Sequence, residues 1–292
     1  MDGMKSLFQE FLGSLKKLEL EEPADLWFFR PPAFLLVKIL ARTPVTPNMV
    51  SVGSLLCGLS AAALFWRGNP EGYVQAALFY YMAHLLDCAD GQLARLRNQK
   101  SYVGYLMDGM MDYLGTISVF AGIAHGLSVQ TGHPGASWAL TAAAGLSVAW
   151  SCYLLDRKRW EWMHRVYGRF SGDDGELRKM EEDAQVWRRE GSHFVLRTVI
   201  FLHIAYTRFF GSLTRTLAKA PSGAKEAEIY RQMNLPTLKR VLLTGPGAHC
   251  LLICFFGAFD DLAAYLWGTL TAGNLWIVLV LLLQAKPQPR LG

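Results

Sequence analysis

Residues 87–112, DCADGQLARLRNQKSYVGYLMDGMMD, set Asp87, Asp90, Asp108, Asp112 and Arg95 into sequence that is otherwise largely apolar. Ionisable groups in apolar helices are costly and mark function. On a helix, Asp87, Asp90, Gly91, Ala94 and Arg95 share one face, and Gly104, Asp108 and Asp112, spaced by four, share a face of the next. Packed antiparallel, the two faces would converge four carboxylates on one small volume. Anions so placed repel strongly in a low dielectric, and Arg95 alone cannot balance them. Cations must join them. Oxygen donors without cysteine or clustered histidine suit Mg²⁺ or Mn²⁺ rather than zinc. Two ions about 3.5–4 Å apart suit several bridging carboxylates, the arrangement used for displacement at phosphorus. Gly91, Ala94 and Gly104 remove bulk from the same faces, leaving a slot for a flat or phosphorylated ligand. Helix packing would explain any one of these small residues; the set with the aspartates asks for more.

The elements that must carry this motif are apolar helices. The chain has 292 residues, of which 52% are hydrophobic. Runs free of Asp, Glu, Lys and Arg occur at Met49–Trp66, Tyr113–Gln130, Ser137–Leu155, Val241–Phe259 and Leu262–Ala285. Gly72–Leu86 becomes long enough only by continuing into the motif. A hydrocarbon core about 30 Å thick needs roughly 20 apolar helical residues. These runs predict an all-α, polytopic membrane protein with six transmembrane helices. The loops Arg67–Glu71, Leu127–Ala136 and Asp260-Asp261 carry one basic residue between them, whereas the opposite ends are rich in lysine and arginine. The positive-inside rule then puts both termini and the motif on the cytoplasmic face.

Four stretches follow: an amphipathic interfacial segment (1–42), helices one to four with the motif (43–155), a cytoplasmic or interfacial helical insertion (156–240), and helices five and six with the tail (241–292). In the first, Met4, Leu7, Phe8, Phe11, Leu12, Leu15 and Leu18 form one apolar helical face, suited to lying along the membrane. Arg30-Pro31-Pro32 reads as a break before a second interfacial piece. Pro47 suits a helix start, its missing amide being an orphan there anyway. Residues 193–214 contain Arg197, His203 and Arg208, and a crossing there would invert the basic loops, so they are read as lying in the interface or the bundle. The five cysteines form no metal-finger spacing and read as small buried hydrophobes. No cleavable signal peptide is visible, because Met1–Leu20 carries charges throughout.

The pattern D-x2-D-G-x2-A-R-x8-G-x3-D-x3-D, present as Asp87, Asp90, Gly91, Ala94, Arg95, Gly104, Asp108 and Asp112, resembles the signature of the CDP-alcohol phosphotransferases. The entry TPVTPNMVS is similar to that family's approach to its first span. The resemblance implies transfer of a phosphatidyl or phospho-alcohol group from a CDP-linked donor to an acceptor hydroxyl, with loss of CMP. It implies Asp87, Asp90, Asp108 and Asp112 as ligands of two Mg²⁺ or Mn²⁺ ions and Asp112 as general base. Gly91, Ala94, Arg95 and Gly104 would shape the nucleotide pocket, joined by Asn48 and Thr46 if the first helix lines the slot. The expected partners are a CDP-linked lipid donor, an alcohol acceptor, the bilayer and, from the family, a second copy in a homodimer. A bacterial inner membrane is the expected location.

CDP-diacylglycerol is the favoured donor; CDP-choline or CDP-ethanolamine with diacylglycerol as acceptor is the alternative. Arg157, Lys158 and Arg159 could clamp an acceptor phosphate, although positive-inside anchoring explains them too. His84, three residues before Asp87, reads as a packed histidine or a group behind the ligands. A prenyltransferase should show two separate Asp-rich motifs, and a cation transporter acids near the membrane midplane; this chain has one motif at one end. An inactive scaffold would not need the motif complete. The net charge of +5 comes without a basic-aromatic binding module, so nucleic acid is excluded.

Overall fold

The computed structural model describes the backbone of residues 2–99, 102–168, 174–191 and 223–284 and isolated positions between 194 and 204. Side chains are described for these except 2–6, 102–108, 174–181 and 284. The described residues contain helices and turns and no strand. Two compact units result, one of residues 1–100, 111–155 and 237–292, the other of 101–110 and 156–236.

In the first unit, α1 (Asp2–Ser14) leaves Leu7, Phe8 and Leu12 exposed, while Phe11 meets Phe34 edge-on at 5.4 Å. The expected break at Pro31-Pro32 is absent. A π-turn over Asp25–Phe29 runs directly into α2 (Arg30–Leu40), and the prolines occupy its first turn. There the missing amides cost little, and the wider turn absorbs the register. α3 (Pro47–Phe65) starts where Pro47 predicts, with Thr46 as N-cap accepting from the Met49 amide at 3.3 Å. α4 (Pro70–Leu96) is one unbroken 27-residue helix that carries the apolar run into the motif. α5 (Tyr102–Thr131) and α6 (Pro134–Tyr167) follow. α6 does not end at Leu155 but runs on through DRKRWEWMHRVY.

Among the described residues, four stretches are long and apolar enough to cross a membrane: Pro47–Phe65, Pro134–Tyr167, Ala224–Ala258 and Leu262–Leu283. The third comprises α8 (Ala224–Val241), a short 3₁₀ turn and α9 (Pro246–Ala258). The fourth comprises α10 (Leu262–Gly268), a π-turn and α11 (Asn274–Gln284). α4 and α5, at 27 and 30 residues, have the length as well. Leu56, Leu78, Ile117, Leu146 and Leu275 stand more than half exposed on these helices, the outward apolar band that lipid would cover.

One core gathers Phe65, Tyr73, Val119, Ile123, Ile253, Leu262 and Leu266; another, beside the motif, gathers Phe29, Val37, Val50, Leu85, Cys88, Leu93 and Cys250. α3 and α5 approach backbone to backbone: a Cβ on Gly122 would overlap the Ala62 carbonyl, and one on Gly126 the Phe65 carbonyl.

The second unit contains α7 (Asp174–Arg189) and the ends of α6 and α8. Trp162 packs on Tyr230 with ring centroids 6.0 Å apart, and the Arg165 guanidinium lies 5.3 Å over the Tyr230 ring. Most of 193–214 lies outside the described residues.

Candidate active site

α4 divides its faces between anchoring and chemistry. Tyr81, His84, Cys88, Gln92 and Arg95, three or four residues apart, meet the segment from Ser14 to Arg30. Tyr81 Oη donates to the Phe28 carbonyl at 2.8 Å, and His84 Nε2 lies 2.9 Å from Asp25 Oδ1. Arg30 donates to the Cys88 carbonyl at 3.2 Å and pairs with Glu21 at 3.0 Å. Gln92 Nε2 donates to Ser14 Oγ at 3.1 Å, and Arg95 Nε donates to the Ser14 carbonyl. Burial alone would weaken Arg30 as a base, but Cys88, Glu21, Asp25 and Asp87 around it raise its pKa above the ordinary arginine value. Arg30 is therefore a fixed cation at any working pH.

This segment is more than a membrane-surface helix. Glu21, Glu22, Asp25 and Arg30 are all buried. The Glu22 carboxylate accepts from the Gly247 amide at 3.0 Å, placing an anion at the N-terminus of α9 where the helix dipole favours it. A Cβ on Gly245 would overlap that carboxylate, and one on Gly247 would overlap Asp25 Oδ1. Asp25, His84 and Cys88 bring an oxygen, a nitrogen and a sulfur within 4.8 Å of one another. With His84 already bonded to Asp25 and the Arg30 cation alongside, this reads as an ion cluster that clamps α4 to its neighbours.

The other face of α4 carries Asp87, Asp90, Gly91 and Ala94. Asp87 is half-buried; Asp90 is buried at 4% exposure and accepts from Ser51 Oγ on α3 at 2.6 Å. The contact lies at the short end of the range for a hydroxyl donating to a carboxyl oxygen. A Cβ on Gly91 would come within 3.3 Å of Arg95 Nη1, so the glycine lets the guanidinium fold back along the helix. Arg95 thus bonds to the anchoring segment, at the border of the aspartate face. Ala94 is half-buried. Asp112 is exposed on α5, whereas the side chain of Asp108 and the site of Gly104 lie outside the described residues.

Asn48 is exposed in the first turn of α3. In the second unit, Arg157 is half-buried, Lys158 pairs with Glu161 at 2.8 Å, and Arg159 lies 3.7 Å from Asp156. Two of the three basic residues read as an acceptor clamp therefore have partners within their own helix.

Two residues escaped the sequence reading. Ser51 looked like one small residue among many in an apolar run; only its contact across to α4 gives it meaning. Arg97 donates to the carbonyls of Val45, Thr43 and Leu40 at 2.6, 2.7 and 2.9 Å. It ties the turn that leads into Asn48 to the end of the motif helix. A guanidinium two residues after Arg95, at none of the motif's fixed positions, gave no signal of this by spacing.

Asp87 and Asp90 on α4 and Asp112 on α5 offer carboxylate oxygens, and the Ser51 hydroxyl holds one of the Asp90 oxygens. Carboxylate oxygens of this kind suit a hard divalent cation such as Mg²⁺ or Mn²⁺, although among the described residues the one group of three donors within 4.8 Å of one another is Asp25, His84 and Cys88.

Residues 44–167 match the model of the CDP-alcohol phosphatidyltransferase family, which bears out the resemblance carried by the motif. A curated relative, the archaetidylinositol phosphate synthase of Pyrococcus horikoshii, is 31% identical over 97 residues, covering 33% of this chain and 50% of that protein. The chain thus spans about half the length of the curated relative it matches. The match and the four apolar helices together mark an integral membrane protein.

Proposed function

We propose that the chain is a divalent-metal-dependent phosphotransferase that moves a phosphatidyl group from a CDP-linked donor, CDP-diacylglycerol in first preference, to an acceptor hydroxyl. The observation that carries this reading is the buried, hydroxyl-held Asp90 within a complete aspartate motif, inside the stretch that matches the family.

Asp87, Asp90 and Asp112 would hold Mg²⁺ or Mn²⁺, two ions in the full site; Asp108 joins them on the sequence pattern alone. Bound there, the metal supplies positive charge that neutralises the diphosphate and the charge developing in transfer. Gly91, Ala94, Gly104 and Arg95 would bound the nucleotide end, with Asn48 at the start of α3. The acceptor oxygen forms a bond to the phosphatidyl phosphorus, the bond from that phosphorus to the CMP oxygen breaks, and CMP leaves with the electron pair. The hydroxyl proton passes to the Asp112 carboxylate, whose exposure leaves it open to a soluble acceptor.

α3, α4, α5, α6, the α8–α9 stretch and the α10–α11 stretch would be the six crossings. The basic-loop bias places the motif and both termini on the cytoplasmic face.

The test is CMP release by the purified full chain in lipid, with CDP-diacylglycerol or CDP-choline as donor. Glycerol phosphate, serine, inositol phosphate and diacylglycerol serve as acceptors, and products are read by lipid mass spectrometry. Inositol phosphate is included because the relative's name specifies such a product. Metal-dependent release of CMP from CDP-diacylglycerol, lost in Asp90→Asn, is expected. Absence of CMP release with every donor would overturn the proposal.

A further inference from the structure

We propose that Ser51 is a positioning residue for the metal site: its hydroxyl fixes the Asp90 carboxylate in the orientation that receives a divalent cation. The inference rests on the reading of Asp90 as a metal ligand. Ser51 and Asp90 are 7% and 4% exposed, on different helices, and 2.6 Å apart. Ser51 Oγ also lies 3.2 Å from the Pro47 carbonyl one turn back, the usual local partner of a helical serine. One hydroxyl proton cannot serve both fully, and the shorter contact takes it.

The serine therefore does not need Asp90 to be satisfied, whereas the buried carboxylate needs a donor. Occupying one lone pair of Oδ2 restrains rotation of the carboxylate about its last torsion. Groups standing behind a ligand in this way commonly alter metal affinity by about 10–100-fold. α3 also carries Asn48 one turn earlier, so the same contact sets the start of the first span against the motif helix.

A serine that merely joins α3 to α4 would affect stability; one that aims a ligand would affect metal affinity. Mn²⁺ binding to the purified full chain in detergent, read by electron paramagnetic resonance, is measured with the thermal midpoint for wild type, Ser51→Ala, Ser51→Thr and Asp90→Asn. Ser51→Ala is expected to weaken Mn²⁺ binding about 10–100-fold, and Ser51→Thr, which restores the hydroxyl, to recover most of the affinity. Unchanged Mn²⁺ affinity in Ser51→Ala alongside loss in Asp90→Asn would overturn the role of Ser51 and leave the metal reading standing. Unchanged affinity in Asp90→Asn would overturn the metal reading and this inference with it. A Ser51→Ala defect in both affinity and midpoint, with Ser51→Thr recovering the midpoint alone, would make Ser51 a helix-packing residue and likewise overturn the inference.

Discussion

The Tyr81 hydroxyl donates to the Phe28 carbonyl at 2.8 Å, the acceptor that Pro32, lacking an amide hydrogen, leaves without its usual helical donor. α4 thereby completes the hydrogen bonding of a helix start that the sequence alone presents as a break. The same α4 stripe continues through His84, Cys88, Gln92 and Arg95 onto Asp25, Arg30 and Ser14. One face of the motif helix is thus fixed by polar contacts, and the aspartates project from another. A helix that must hold several carboxylates against their mutual repulsion gains from being anchored by groups that take no part in the chemistry.

The ion pair at the centre of that anchor predicts a large asymmetry. Arg30→Met leaves Glu21 buried without its guanidinium, which should cost about 3–5 kcal/mol. Arg30→Met with Glu21→Leu removes both charges and should recover much of the loss. Thermal unfolding in detergent checks it. Equal midpoints for the single and double variants would show that the pair is not what holds the segment.

How much of this was legible beforehand depends on what kind of signal each part leaves. The apolar runs announced α3, α6 and the last two membrane stretches, because burial in lipid demands length and hydropathy and little else. Pro47 announced the start of α3 through its own backbone chemistry. The motif was legible because its residues repeat at helical spacing within 26 positions. By contrast, Glu21, Glu22, Asp25 and Arg30 carried no sign in the sequence that they would be buried. A buried ion cluster differs from a surface charge run only through partners distant in sequence: 58 residues separate Arg30 from the Cys88 carbonyl, and 225 separate Glu22 from the Gly247 amide. The continuation of α6 was hidden for a related reason, since DRKRWEWMHRVY has the charge of a loop and the propensity of a helix.

The α3–α5 contact predicts a graded effect along one helix. A Cβ on Gly122 would overlap the Ala62 carbonyl, whereas one on Gly115 meets nothing within 4 Å. Gly122→Ala should therefore push the helices apart and cost more than about 2 kcal/mol, in the range of overpacked cores. Gly115→Ala should be neutral or slightly stabilising through helix propensity. Midpoints measured side by side decide this, and equal tolerance of both would contradict the close approach.

Arg97 serves three carbonyls with one planar group, so a point charge on a flexible stem should not replace it. Arg97→Ala and Arg97→Lys should both loosen the turn that leads to Asn48, costing about 1.5–3 kcal/mol by the loss of charged hydrogen bonds. If that turn positions the nucleotide, KM for the CDP-linked donor should rise more than kcat falls. A fall in kcat with KM unchanged would separate Arg97 from donor binding.

Asp90 and Asp112 differ in surroundings, which predicts different failures on substitution. Asp90 is buried against Ser51, while Asp112 is exposed on α5. A buried carboxylate held by a hydroxyl is suited to a fixed ligand; an exposed one can accept a proton and return it to water. Asp112→Asn keeps the size and one oxygen but loses the basicity. It should retain Mn²⁺ and donor binding while transfer falls about 10²–10⁴-fold, the span of general-base contributions. Asp90→Asn should weaken Mn²⁺ and donor binding together, because the ligand's charge is lost where burial makes it count most. The measurements are donor affinity with and without Mn²⁺, and single-turnover transfer, for each variant. Near-wild-type transfer in Asp112→Asn would remove it as base. Equal binding losses in the two variants would instead make Asp112 a ligand first and leave the acceptor's proton to another group.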